Sequence, residues 1–437
     1  MATVPHWVSR IREGGYDSAF RSLYARDEET VRKQRNRYAD ALLRFGELYG
    51  RDRDVGIYSV PGRAELCGNH TDHNNGVVMA AAVNLDLIAV VSRSDAEIVA
   101  VRSQGFGDIE GVSLSRLDPV PEEKGKSAAI IRGVARGVLL RGGKVGGIDA
   151  YVASDVLKGS GLSSSAAFEV AVGAIFNGEY NGGRFSPVDL ALIGQAAENT
   201  YFGKPSGLMD QMACAVGGML AIDFLDPSAP SFEKISLDLS AHGFKLVVTD
   251  TKGDHSDLTP DYAAIRREME DAARFFGKKN LREVERGDFL KRLPAVREKT
   301  GDRAVLRALH FFEENRRVGE LADAIRDGDM ERFTALIVES GNSSFEYNQN
   351  AYSIRHPEKQ GLSVGLALSQ LLLNGRGAWR LQGGGFAGTI QAFVPDGLTE
   401  RYCSAMDGVF GEGASRTLLF REAGCINMTR YAEDVCR

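Results

Sequence analysis

The stretch Ser154-Asp-Val-Leu-Lys-Gly-Ser-Gly-Leu-Ser-Ser-Ser-Ala-Ala167 admits few backbone arrangements. A strand-like segment over 147–154 leads into it, and the small-residue run over 166–175 after it predicts a helix. Glycines 159 and 161 let the backbone approach a ligand closely, and the serine run 163–165 adds hydroxyls. The helix start presents free N–H groups and its positive end, so strand, loop and helix together form an anion site. A plain glycine turn with a serine N-cap would use the same residue types. The length of the cluster and the strand before it favour phosphate. The loop is not a Walker A sequence, because the chain's Gly125-Lys126-Ser127 has Val120 where the first glycine should stand. Nor is it a dinucleotide fingerprint, since Ser164 replaces the third glycine.

With 437 residues the chain exceeds what one core usually supports, so two domains are expected, with the loop at 226–231 as a candidate boundary. Helices are expected within 8–50 and over 128–140, 260–277, 303–328, 330–340 and 360–375. Strands are expected over 54–59, 77–83, 86–92, 245–250, 377–381, 389–394 and 415–420. A net charge of −6 argues against nucleic acid as the main partner while leaving room for a nucleotide. Five cysteines without a CxxC pair fit a reducing compartment. Neither a signal pattern at the N-terminus nor a membrane-length apolar run is present, so a cytoplasmic protein without membrane contact is expected.

Two further segments carry polar chemistry. Gly383-Gly-Gly-Phe-Ala-Gly388 matches GxGxxG, but a strand pattern rather than a helix follows it. That disfavours a nicotinamide dehydrogenase and suits a turn packed against the serine loop. Residues 61–76 crowd Arg63, His70, Asp72 and His73 into a non-helical, glycine-containing stretch that reads as a small-molecule pocket, with a metal site as the lesser alternative. Asp210 stands among apolar and small residues; if buried it needs a cation, and Arg63 is the candidate.

Together these residues resemble the GHMP kinase family and, within it, the galactokinases. The family pattern has a Gly-Arg-x-Asn-x-x-Gly-Glu-His-x-Asp-Tyr motif, a Gly-Leu-Ser-Ser-Ser-Ala loop, a Gly-Ile-Met-Asp-Gln segment and a late Gly-Phe-Gly-Gly turn. The chain offers counterparts of all four in order between residues 61 and 388. The resemblance implies an α+β, two-domain GHMP kinase fold. Residues 1–235 would form a ribosomal-protein-S5-domain-2-like α/β domain and 236–437 an α+β domain, with the active site in the cleft between them. It implies ATP-dependent phosphorylation of the anomeric hydroxyl of D-galactose by a monomer or weak homo-oligomer.

Residue by residue, the resemblance makes Asp210 the catalytic carboxylate and Arg63 its partner. Asn69, His70, Asp72, Gly207 and Tyr262 would hold the sugar. Lys158, Gly159, Ser160, Gly161, Leu162, Ser163, Ser164 and Ser165 would wrap ATP, with Ser164 or Ser165 and Glu198 holding Mg²⁺. The chain departs from the pattern at Glu65, Asn69, His73, Ala387 and the segment 343–350. An uncharged Asn69 in place of glutamate opens a hexuronic acid such as galacturonate as an alternative acceptor. A non-catalytic sugar sensor is the other alternative.

Overall fold

The computed structural model describes residues 2–104, 108–156, 161–253 and 258–435. Lys158, Gly159 and Ser160, expected on the phosphate loop, lie outside them.

Thirteen strands among the described residues form two sheets. The first holds β1 (Ala2–Thr3), β2 (Asp54–Cys67), β3 (Val77–Ser94), β4 (Ile98–Ser103), β5 (Ile109–Ser113), β6 (Gly147–Ser154), β7 (Met219–Asp223) and β8 (Ser231–Ile235). The second is antiparallel and holds β9 (Phe244–Asp250), β10 (Ala378–Gln382), β11 (Thr389–Pro395) and β12 (Ser415–Leu418), in the order β10-β11-β9-β12. The chain then returns, and β13 (Ile426–Asn427) pairs with β2 in the first sheet. A simple division into 1–235 and 236–437 leaves out this return.

Alternation along the long strands explains why both faces of the first sheet are covered. Tyr58, Val60, Ala89 and Val91 pack against helices Ser127–Leu140, Ser164–Asn181, Pro187–Ala197 and Met209–Val216. Val55, Ile57, Ile88 and Val90 point the other way, into the helices of residues 4–49 and the C-terminal Met428 and Ala432. Further along β2 and β3, Ala64, Leu66, Met79 and Ala81 join Leu246, Val248 and Phe393 of the second sheet in one core. The two layers are therefore packed together directly.

The segments 77–83 and 86–92, expected as two strands, are one, β3, and β2 runs to Cys67 rather than stopping at 59. Residues 61–67 are therefore strand, not loop. β-Bulges at Pro61/Arg63 and Glu65/Cys67 break the register there and re-aim neighbouring side chains, as bulges beside functional sites do. The loop at 226–231 joins β7 to β8 within one sheet and is not a boundary. Among the described residues no helix is long and apolar enough to cross a membrane.

One buried ionic knot ties chain ends to the first sheet. Asp86, fully buried, accepts from Arg37 at 2.6 Å, Arg421 at 3.1 Å and the Tyr24 hydroxyl at 2.6 Å, and also from Ser59. Removing the carboxylate leaves guanidinium groups buried without their counter-charge. Asp86→Ala should therefore cost about 3–5 kcal/mol, read as a lower urea midpoint; a loss below about 1 kcal/mol would mean the arginines find other partners.

Candidate active site

The site is assembled on β2. Arg63 is buried, and its backbone N–H donates to the Leu162 carbonyl at 3.1 Å. Its Nη1 donates to the Gly161 carbonyl and its Nε to Asp210 Oδ1 at 2.8 Å. Asp210 lies in the first turn of the helix Met209–Val216, and its other oxygen accepts the Ser163 hydroxyl. One side chain thus connects the start of the serine loop to the carboxylate 147 residues away. Gly161 adopts φ +66°, and a Cβ there would run into Thr389 of β11, so this turn requires glycine.

Helix Ser164–Asn181 starts without a side-chain cap and with no acidic residue in its first turn. Its N-terminal N–H groups and dipole remain available to an anion. Ser163 is free of capping duty because it sits in the left-handed region and turns to Asp210. Ser165 lies 3.4 Å from Glu198, the first residue of a π-helical turn, Glu198–Phe202. Such turns widen a helix and are frequent at functional sites. Glu198 is buried and also accepts from Lys204 at 2.9 Å, Gln211 at 3.2 Å and Ser206. Behind it lies Glu169, whose carboxyl is pushed well up by burial and then by the charge of Glu198.

The expected sugar-contacting residues fall into two groups. His70 and Asp72 lie near enough to Asp210 to feel its charge, Gly207 lies against Asp72, and Tyr262 lies beside His70. His70 Nε2 meets the Gly384 carbonyl at 2.9 Å, and the Tyr262 hydroxyl donates to the Gly385 carbonyl at 2.9 Å. The two rings are 6.3 Å apart, so both lie against the glycine turn. Asp72 accepts the backbone N–H of His73 at 2.9 Å, and its other oxygen sits where a side chain at Gly207 would be.

Asn69 does not join this group. It is 1% exposed; its Nδ2 donates to Glu65 at 2.8 Å and to the Gly383 carbonyl at 2.9 Å, while its Oδ1 accepts from Asn350 at 2.8 Å. Every hydrogen-bonding position of the amide is occupied within the protein, so it braces the segments around it. The metal alternative at residues 61–76 gains no support: among the described residues no group of three or more His, Cys, Asp or Glu is placed to hold a metal ion.

Burial sets the charges. It pushes Asp210 up, but Arg63, the Ser163 hydroxyl and Lys204 more than offset it, and the carboxyl lies below its ordinary value. Asp72 is pushed up to about 6, first by burial and then by Asp210. Burial holds His70 down to about 4, so its imidazole is neutral at pH 7. Two carboxylates in one site with opposite shifts is a pattern of acid–base centres.

Sequence reasoning missed Lys204, Ser206, Gln211 and Asn350. Lys204 and Ser206 lie between the segments around Glu198 and Asp210, where spacing alone gave no sign that the chain folds back, and Gln211 directly follows Asp210. Asn350 lies in the departing segment 343–350, the one signal that pointed to it.

Because the folded-state value of Asp72 is raised, its ionisation costs stability. The cost is absent below the ordinary carboxylate range and grows as pH rises through about 6. Asp72→Asn should raise the stability at pH 8 by about 1–3 kcal/mol and give no gain at pH 4. Denaturant unfolding at both pH values checks this, and an equal effect at each would remove the charge as its cause.

Comparison with known proteins accords with this geometry. Residues 129–218 match the family described as GHMP kinases N terminal domain, and residues 43–93 match the galactokinase galactose-binding signature. Galactokinase of Streptomyces coelicolor is 34% identical over 372 residues, 84% of this chain and 91% of that protein. Galactokinase of Actinobacillus pleuropneumoniae is 33% identical over 363 residues, 82% of this chain and 90% of that protein. In fold, the chain is similar to Lactococcus lactis galactokinase, solved with galactose, at a TM-score of 0.77 and 21% identity, covering 90% of this chain and 100% of that one. It is also similar to Methanococcus jannaschii mevalonate kinase, at a TM-score of 0.59 and 14% identity, covering 84% of this chain and 98% of that one. With more than four-fifths of its length aligned to galactokinases at about a third identity, the chain belongs to the galactokinase family of GHMP kinases.

Proposed function

We propose that the protein transfers the γ-phosphoryl group of ATP to the anomeric hydroxyl of D-galactose, giving galactose 1-phosphate and ADP. The observation that carries this is the Arg63–Asp210 pair at 2.8 Å, held against the start of an uncapped helix that can receive phosphate.

Phosphoryl transfer is mostly positioning and charge neutralisation. In this reading Asp210, ionised at neutral pH, receives or orients the proton of the attacking hydroxyl, and that proton leaves with the products. Arg63 keeps Asp210 aimed and lends positive charge where negative charge develops. His70, Asp72 and Tyr262 hold ring hydroxyls, and Gly207 leaves Asp72 the room to do so. Ser163, Ser164 and Ser165, with the backbone from Gly161 through Leu162, receive the phosphates, a role the family resemblance extends to Lys158, Gly159 and Ser160.

Ser165 and Glu198 present only oxygen donors, the kind Mg²⁺ takes, and Glu198 already balances a cation in Lys204. Ser164 or Ser165 with Glu198 would hold Mg²⁺, which when bound neutralises phosphate charge. The hexuronate alternative rested on a neutral Asn69 facing the acceptor, and Asn69 is fully bonded inside the protein.

The direct test is ADP release with galactose, N-acetylgalactosamine, galacturonate, glucuronate and arabinose. Galactose should be the preferred acceptor; activity on the acids alone would replace it, and no activity on any would favour a sensor. Asp210→Asn should keep sugar and ATP binding while kcat falls by about 10²–10⁴-fold, and turnover near that of the native enzyme would remove Asp210 from its role.

A further inference from the structure

Two departures from the family pattern, Glu65 and Asn69, meet a third, the segment 343–350, that lies far away in the sequence. The pattern has asparagine where this chain has Glu65 and glutamate where it has Asn69, so the two residue types are exchanged. They touch: Asn69 Nδ2 donates to Glu65 Oε1 at 2.8 Å. The same oxygen accepts Arg380 Nη2 at 2.9 Å from β10 in the second sheet. None of the three is more than 1% exposed.

The segment 343–350 supplies the rest. It contains the π-helical turn Ser344–Asn348, and it brings Asn350 Nδ2 to 2.8 Å from Asn69 Oδ1, with Asn348 Nδ2 at 3.4 Å and the Ser344 hydroxyl at 3.5 Å. The backbone at 69 is held too. Its N–H donates to Glu314 at 3.2 Å, and its carbonyl meets His310 Nε2 at 2.8 Å. Asn69 also grips the Gly383 carbonyl, next to the Gly384 and Gly385 carbonyls that meet His70 and Tyr262.

We propose that Glu65 and Asn69 are a single compensated exchange, and that Glu65, anchored by Arg380, is a positioning residue for the acceptor-binding loop 69–72. The exchange moves a carboxylate off the loop and into the layer interface, where a guanidinium meets it. The neutral amide left at 69 can then donate to Glu65 and to the glycine turn while accepting from the 343–350 segment. A carboxylate could not donate to either partner. Changing Asn69 alone to glutamate sets two carboxylates in contact without water, where both cannot be ionised. Changing Glu65 alone leaves Arg380 buried without its counter-charge. Changing both restores one carboxylate and one amide. The carboxylate at 69 then lies within reach of Arg380, and Asn350, Asn348 and Ser344 already donate towards it.

The inference rests on the reading of His70 and Asp72 as acceptor-holding residues. Its test is a cycle of Glu65→Asn, Asn69→Glu and the two together, with Glu65→Gln as the conservative variant, each measured by thermal unfolding and by galactose kinetics. Each single exchange should lower the unfolding midpoint and raise the galactose KM about tenfold or more, with kcat within about threefold. The double exchange should return KM to within about threefold of the native value and recover most of the midpoint. Glu65→Gln, which still accepts from Asn69, should fall between the native protein and Glu65→Asn. Additive losses in the double variant, its failure to fold, or silent single variants would each overturn the proposal. Unfolding needs no substrate, so a recovered midpoint in a protein inactive on every sugar supports the pair while removing the galactose reading.

Discussion

The Arg63 guanidinium is the contact on which the site depends. It is buried on a strand yet bonds to the Gly161 carbonyl, just before the helix Ser164–Asn181, and to the carboxylate at the start of another helix. A planar group with donors in a fixed fork can hold two such partners at a set angle, which a lysine ammonium cannot. Arg63 and Glu65 stay paired with Ala82 and Ala80 of β3, and the register shifts of β2 fall on either side of them, at Pro61/Arg63 and Glu65/Cys67.

Around that contact, burial and pairing sort the titratable groups. Asp210 has a cation and a hydroxyl and stays ionised; Asp72, with only backbone donors to oppose its burial, rises to about 6. His70, facing a carbonyl in a buried wall, stays neutral. None of these differences can be read from residue type, because all three depend on which neighbour the fold supplies.

The second sheet acts as the wall of the site. The β10–β11 hairpin presents the glycine turn 383–388, and its backbone carbonyls meet His70, Asn69 and Tyr262. Behind it, Arg380 and Gln382 reach back to the strand that carries Arg63. The GxGxxG spacing therefore serves close approach of two backbones, consistent with the strand that follows it.

Much was legible in the sequence because it rests on local chemistry. The serine cluster between strand and helix, the strand after the glycine turn and the long helices of the second half follow from backbone freedom and periodicity. Local pattern failed where the fold is non-local. β4, β5, β7 and β8 went unread because short strands depend on their partners. Residues 61–67 looked like loop because glycine and polar residues occur there, although the tertiary structure buries them as strand. Asn69 shows the division most sharply. The sequence by itself determined that an amide stands where a carboxylate was expected, and that Glu65 differs too. Only the tertiary structure decided that these differences are one pair, because their hydrogen bond depends on how the strand end folds and the guanidinium that neutralises Glu65 comes from a chain segment more than 300 residues away.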